Sequence, residues 1–245
     1  MLGAFRHAFP LAMTLLMLLV VASFSAIHLL EFLSYYARVA GSLAGKAVTG
    51  YAIQNATTTV TRFFYLALMP MLGFLIDRSL PRQHYLYMGL GALFGATALS
   101  LLAYSLRRRW IVLLANFITR NEGRPRLTLA DLRGELDRGQ HHAPASIMPL
   151  AAAVFFCYAL GVLLSYYFAL VFHDYRSTIS QLSGIINGAA TVLLTFILEP
   201  RIARIVDSHA PGRVYAAVQR MLLGRLLAVG IAAPATFYVI CSAFF

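Results

Sequence analysis

Residues 146–172 read SIMPLAAAVFFCYALGVLLSYYFALVF, a run of 27 residues that contains no charged side chain. A helix needs about 20 mainly apolar residues to cross the hydrocarbon core of a bilayer. In a chain of 245 residues, a helix that is apolar on all its faces is typical of a membrane span. We therefore predict an all-α integral membrane protein with six transmembrane helices, at residues 10–36, 48–76, 84–106, 146–172, 179–199 and 217–244.

The composition agrees with this fold class. The chain is 60% hydrophobic and 12% charged, whereas soluble domains carry about 25% charged residues. Its net charge of +11 comes from nineteen arginines and one lysine, which lie between the apolar runs. A nucleic-acid-binding protein would gather such residues into one surface patch, so we predict no nucleic-acid partner.

The distribution of Lys and Arg predicts the orientation. The first, third and fifth loops hold 13 of these residues, against 4 in the even loops and the two termini. Positive residues stay in the cytoplasm, so both termini should lie outside. We expect the N-terminal run to be a retained helix and not a cleaved signal peptide, because it continues smoothly into His28 and Glu31.

Three sequence matches at nearly the same offset reveal an internal repeat. Residues 33–36 (LSYY) recur at 164–167, Pro70 and Asp77 recur as Pro200 and Asp207, and Asn55 and Thr59 recur as Asn187 and Thr191. A repeating unit of three helices enters the membrane upside down in its second copy, as in many secondary transporters. We predict repeats at 1–106 and 146–245, joined by a cytoplasmic amphiphilic loop at 107–145 with an interfacial helix that Thr128 begins.

Arg62 lies near the centre of the second predicted helix, on a polar stretch that includes Gln54 and Asn55. A charge at mid-bilayer costs on the order of 3 kcal/mol, so this side of the helix should face protein, water or substrate. Two interpretations remain open. Arg62 either forms a structural pair with an acid such as Glu31 or belongs to an anion pathway.

His28 and Glu31 lie three residues apart and share a helix face. HxxE is a metal-ligand spacing in helical bundles, but one copy supplies only two ligands. We therefore predict neither a metal nor a cofactor, and expect a buried ion pair with Arg62 or Arg38. The two cysteines, Cys157 and Cys241, are expected to be core thiols.

Arg176 precedes the polar helix that carries Asn187. Backbone N–H groups at a helix start attract anions, so this position is either a phosphate contact or an interfacial anchor. Glu199 and Asp207 lie among Arg201 and Arg204 and are expected to form a structural salt-bridge cluster.

Small residues and prolines mark further helix features. Gly91 and Gly95, and likewise Gly184 and Gly188, have the spacing of helix-packing faces. Three prolines are expected to kink or end helices, and broken helices are where transporters place their binding sites: Pro70, Pro200 and Pro234.

Two long motifs carry a family resemblance. Residues 28–41 read HLLEFLSYYARVAG and are followed by Lys46 and Thr61-Arg62; residues 176–191 read RSTISQLSGIINGAAT and are followed by Glu199-Pro200 and Ile205-Val-Asp207. Together they resemble the Amj family of bacterial lipid II flippases, the alternates to MurJ. The family has Asp-Pro where this chain has Glu199-Pro200, which retains the carboxylate.

The resemblance implies export of the undecaprenyl-pyrophosphate-linked disaccharide-pentapeptide across a bacterial cytoplasmic (inner) membrane. Lipid II and membrane lipids are the implied partners, and the sequence leaves open whether the unit is a monomer or a homodimer. A pyrophosphate needs cations, ideally bidentate arginines, and the candidates are Arg38, Arg62, Arg176 and Lys46. The expected coupling or charge-balancing residues are His28, Glu31, Glu199 and Asp207, and the expected polar lining is Gln54, Asn55 and Asn187.

Two other functions compete with this one. An intramembrane enzyme acting on polyprenyl phosphates would use His28, Glu31 and Arg62 as acid, base and anion clamp. A non-catalytic scaffold would have little use for a mid-membrane arginine. The sequence contains no P-loop, GxSxG or HExxH motif, which excludes an ATP-driven pump working by itself.

Overall fold

The computed structural model describes residues 2–123, 125–137, 143–208 and 210–244, and within these ranges it is helical without strands. The first half holds four helices, α1 (Leu2–Ser34), α2 (Tyr36–Leu43), α3 (Ala47–Asp77) and α4 (Arg82–Ser105). Two short helices follow, α5 (Arg107–Thr119) and α6 (Leu129–Asp137). The second half holds α7 (Ile147–Val171), α8 (Arg176–Leu193), α9 (Glu199–Asp207), α10 (Pro211–Leu227) and α11 (Ala233–Ala243).

Six helical segments are long and apolar enough to cross a membrane, which confirms the predicted fold class. They are Leu11–Leu43, Ala47–Asp77, Arg82–Ser105, Ile147–Val171, His173–Asp207 and Pro211–Ala243. The predicted spans were too short at several ends, because charged residues interrupt an apolar run without ending a helix. The first span continues as α2 through Arg38, which was expected in a loop.

Two π-helical segments accommodate prolines. Leu194–Leu198 joins α8 to α9 just before Pro200, and Ala228–Ala232 joins α10 to α11 just before Pro234. Proline lacks an N–H, and in an α-helix its ring clashes with the carbonyl four residues earlier. In both segments that carbonyl lies inside the wider π turn, which leaves more room for the ring. Pro70 lies inside α3, which continues to Asp77.

The segment between the two halves contains the predicted short helix. The Thr128 hydroxyl and amide both donate hydrogen bonds to the Asp131 carboxylate, at 2.6 and 2.8 Å, and the Asp131 amide lies 3.3 Å from the Thr128 hydroxyl. This reciprocal capping begins α6 and lowers the pKa of Asp131, first through the hydroxyl and then through the amide. Leu132 is fully buried, since α6 packs against α10 and α5.

The two halves share one packing scheme. In the first half, α1 packs between α3 and α4; in the second, α7 packs between α8 and α10. The halves meet mainly where α4 contacts α11 and α7, and where α2 contacts α10. A two-fold relation between the halves, the division at residues 106 and 145, and a homodimer stay predictions.

Glycines permit close helix contacts at several crossings. A Cβ at Gly95 would lie 2.6 Å from the Ser25 hydroxyl, so the predicted packing role of this glycine in α4 is confirmed. The same prediction was wrong for Gly184 and Gly188. Both are exposed on α8, and a Cβ on either would meet no atom within 4 Å.

Candidate functional site

The candidate site follows the second and fifth spans, which run from Ala47 to Asp77 and from His173 to Asp207. The third helix, α3, packs against α1 and α2, and α8 packs against α7. Much of the outward surface of both helices is exposed, with Phe63 and Leu66 on α3 and Ile185 and Phe196 on the fifth span. Charged residues lie at both ends and at the centre of this pair of spans.

At the end predicted to be cytoplasmic, Arg38 joins the two halves. Its guanidinium donates to the Glu199 carboxylate in α9 through Nη2 and to the Gln54 amide oxygen in α3 through Nε. The arginine is only 4% exposed, and its guanidinium lies 5.1 Å from the centre of the Tyr51 ring. This network holds a cation and a carboxylate together at the edge of an open cavity.

That cavity has a volume of about 370 Å³, and its wall includes Arg38, Tyr51, Glu199 and Asp207. A second cavity of about 500 Å³ is lined by Lys46 and shares Ala47, Val48 and Val206 with the first. Lys46 forms an ion pair with Glu122, which follows α5. The two adjoining cavities form an inner vestibule, a name we use below for this pair.

A buried polar cluster joins α1 to α10. Arg225 is 1% exposed and lies 2.8 Å from the Glu31 carboxylate and 3.0 Å from Nδ1 of His28. Its guanidinium also stacks over the Phe155 ring at 4.4 Å. The expected pairing of His28 and Glu31 with Arg62 or Arg38 was therefore wrong, because the last span supplies their partner.

Arg62 is exposed at the midpoint of α3, 15 residues from either end of that helix. It has no hydrogen bond or ion pair to any residue that the structure describes. The structural pair with Glu31 is excluded as an explanation for this arginine, since Glu31 binds Arg225. The nearby hydroxyls of Thr58 and Thr59 donate to the carbonyl of Asn55 on their own helix.

The two asparagines of the predicted polar lining have different environments. Asn55 is exposed on α3. Asn187 is half-buried against Gly161 of α7, and its side-chain oxygen accepts no hydrogen bond from any described residue. One turn further on, Thr191 shares a 2.8 Å hydrogen bond with Tyr158.

At the end predicted to face outside, Arg176 pairs with Asp77 at 3.0 Å. The arginine is the first residue of α8, the aspartate is the last residue of α3, and both side chains are exposed. Arg176 also contacts the His173 ring at 2.8 Å. The cation expected at this helix start is thus present, and it is balanced by a carboxylate from the first half.

The prediction of a salt-bridge cluster around Glu199 is wrong. Glu199 pairs with Arg38, and Arg201 donates to the Ser146 hydroxyl at 3.0 Å. Asp207 is exposed on the vestibule wall and has no ion pair with any described residue. The sequence placed these residues at one helix end, but α9 distributes them around its circumference. Of the two cysteines, Cys241 is buried as expected, whereas Cys157 is half-buried.

Comparisons with known proteins support the resemblance. The family model Amj, "Alternate to MurJ", matches residues 127–241. The lipid II flippase Amj of Bacillus subtilis (strain 168) is 23% identical over 249 residues, which cover 87% of this chain and 91% of the relative. The predicted resemblance to the Amj family is confirmed. No solved structure matches.

The Amj family model spans α6 to α11 and so includes Arg176, Glu199 and Arg225. The name of the Amj relative describes a transporter rather than an enzyme. The six candidate spans identify a multi-pass membrane protein.

Proposed function

We propose that this protein is a lipid II flippase, which moves the undecaprenyl-pyrophosphate-linked peptidoglycan precursor from the inner to the outer leaflet of the bacterial cytoplasmic membrane. The relative is named for lipid II transport, and one structural observation carries the proposal. Arg62 lies exposed at the midpoint of a span without a described partner. An unbalanced charge there costs on the order of 3 kcal/mol, which a passing pyrophosphate would offset.

The cations mark a path for the head group. Lys46 and Arg38 line the inner vestibule, Arg62 lies halfway along α3, and Arg176 lies at the outer end. Arginine binds phosphate oxygens through two parallel N–H groups, so each arginine can hold the pyrophosphate in turn. The size and exposure of the inner vestibule support loading from the inner leaflet.

The carboxylates balance these cations when no substrate is bound. Glu199 neutralises Arg38, Glu31 neutralises Arg225 beside His28, and Asp77 neutralises Arg176. A pyrophosphate that reaches Arg38 competes with Glu199 for the same guanidinium. Asp207 lines the same vestibule wall as Glu199 and adds a second carboxylate there.

The prenyl tail stays in the lipid. Phe63 and Leu66 on α3 and Ile185 and Phe196 on the fifth span are exposed, and they supply an apolar rim along which a polyprenyl chain can slide. Gln54 and Asn55 on α3, and Asn187 on α8, add amide groups beside the path. The head group thus crosses along protein while the tail turns over in the bilayer.

An intramembrane enzyme would need His28 and Glu31 to reach the substrate phosphate. His28 is 1% exposed and its Nδ1 contacts Arg225, which is unfavourable for an acid–base role. Incubation of purified protein with undecaprenyl pyrophosphate separates the two functions. A flippase releases no phosphate, and phosphate release would contradict transport as the primary activity.

Complementation tests the function in cells. A bacterial strain depleted of every other lipid II flippase should grow when it carries this chain. It should fail with Arg62→Met at the same membrane level, measured by immunoblot. Arg133→Met, which removes an exposed arginine from α6 outside the spans, is the matched control and should grow. Failure of the unmodified chain at normal membrane levels would contradict the proposal.

A further inference from the structure

Four charged residues lie at the ends of the second and fifth spans. Lys46 immediately precedes α3 and Asp77 ends it, while Arg176 begins α8 and Asp207 ends α9. Both spans therefore have a cation at the start and an anion at the end. The helix dipole favours the opposite arrangement, so the stability of the individual helices does not explain these charges.

Pairing between the two spans does explain them at the outer end. The spans run in opposite directions, which brings the end of α3 beside the start of α8. Asp77 and Arg176 form an ion pair of 3.0 Å there. The pair links the two halves of the chain across the space between α3 and α8.

The corresponding inner ends are separated. Lys46 pairs with Glu122 instead, and Asp207 has no ion pair with any described residue. The inner vestibule lies where the two ends would meet, because Lys46 lines one of its cavities, Asp207 lines the other, and Val48 and Val206 line both.

The sequence register maps one pair onto the other. Lys46 and Arg176 are 130 residues apart, and so are Asp77 and Asp207. Exchange of the two copies therefore turns the observed contact between Asp77 and Arg176 into a contact between Asp207 and Lys46. In the observed structure, the contact between Asp77 and Arg176 is formed, whereas its counterpart between Asp207 and Lys46 is not.

We propose that Lys46 and Asp207 form an inner gate, which closes when the outer gate between Asp77 and Arg176 opens. Lys46 then releases Glu122 and pairs with Asp207. The inner vestibule closes at the same time, because Ala47 and Ala203, which line it, have small side chains. Exposed ion pairs contribute little stability, so either gate can open without a large cost. The inference deepens the proposed function, since it supplies the alternation that a flippase of this kind needs.

Disulfide trapping tests the inner gate independently of transport. The Lys46→Cys/Asp207→Cys double variant is made in a chain whose native cysteines are replaced (Cys157→Ser, Cys241→Ala), and membranes are treated with a mild oxidant. A disulfide requires the two Cα atoms to come within about 7 Å. We expect a fraction of the protein to form this disulfide, and the Asp77→Cys/Arg176→Cys variant to form the outer one. The Lys46→Cys/Asp77→Cys control, at opposite ends of one helix, should form none.

Opening the outer gate should close the inner one. Asp77→Arg places a second cation beside Arg176, so the fraction of inner disulfide should rise. Asp174→Arg, an exposed neighbour of Arg176 that has no ion pair among the described residues, is the matched control and should leave the fraction unchanged.

Absence of the inner disulfide in both backgrounds, while the outer one forms, would overturn the proposal. An inner disulfide that does not respond to Asp77→Arg would overturn the alternation. The trapping result does not depend on the substrate. A protein that alternates but moves no lipid II would therefore refute the proposed function and leave the gates intact.

Discussion

Glu31 in α1 and Arg225 in α10 form an ion pair of 2.8 Å that is enclosed between the two halves of the chain. His28 contacts the same guanidinium, and Phe155 lies beneath it. Two nitrogens of the Arg225 guanidinium, Nε and Nη1, have no hydrogen-bond partner among the described residues, and neither has Nε2 of His28. The pair is thus the electrostatic link between the first and last spans.

Breaking this pair from one side should destabilise the protein. Glu31→Gln leaves Arg225 buried without a counter-charge, and loss of one partner of a buried pair costs about 3–5 kcal/mol. The melting temperature of the detergent-purified protein should fall clearly. The double variant Glu31→Gln/Arg225→Met removes both charges and should recover most of the loss. A double variant no more stable than Glu31→Gln would contradict the pairing.

Arg62 should behave in the opposite way. It has no described partner, so Arg62→Met should leave the melting temperature unchanged while it abolishes transport. Arg62→Lys should restore transport only in part, because a point charge cannot reproduce the planar fork. Normal growth with Arg62→Met at the normal membrane level in the complementation assay would show that Arg62 does not hold substrate.

Glu199 should set the release of the head group from Arg38. Glu199→Asp keeps the carboxylate and should retain transport. Glu199→Gln removes the competitor for the guanidinium, so lipid II should bind more tightly and leave more slowly. The concentration of lipid II at half-maximal rate and the maximal rate should therefore both fall. A rise in the half-saturating concentration would show that Glu199 assists binding instead of opposing it.

The predicted orientation can be tested by cysteine labelling in intact cells. Single cysteines at Arg78 and Tyr175, in a chain without native cysteines, should react with a membrane-impermeant maleimide from outside. A cysteine at Arg126, between α5 and α6, should react only after the membrane is opened. Labelling at position 126 in intact cells would reverse the orientation and place both termini inside.

The fold was predictable from the sequence because its main signal is local. Six apolar runs separated by Arg-rich loops fix the number of spans, and Thr128 with Asp131 fixes the start of α6. Helix ends were less predictable. Arg38 reads as a loop residue, but inside the protein it is paired with Glu199 and Gln54, so the helix continues past it.

The candidate site was predictable in its residue types and unpredictable in its pairings. Glu31 and Arg225 are separated by 194 residues, and no spacing rule links positions so distant. An arginine near a span end is typical of an interface, so the sequence alone gives Arg225 no special role. A charge inside a predicted span was the one signal that could have identified it, by the argument used for Arg62.

Leaflet-resolved transport of lipid II in liposomes tests the central claim most directly. Fluorescent lipid II is placed in both leaflets of vesicles that contain the purified protein, and an impermeant quencher reports the fraction that reaches the outer leaflet. The account predicts that the unmodified protein and Arg133→Met bring all the label within reach of the quencher, whereas Arg62→Met leaves the inner-leaflet half protected. Protection with the unmodified protein, or full exposure with Arg62→Met, would contradict it.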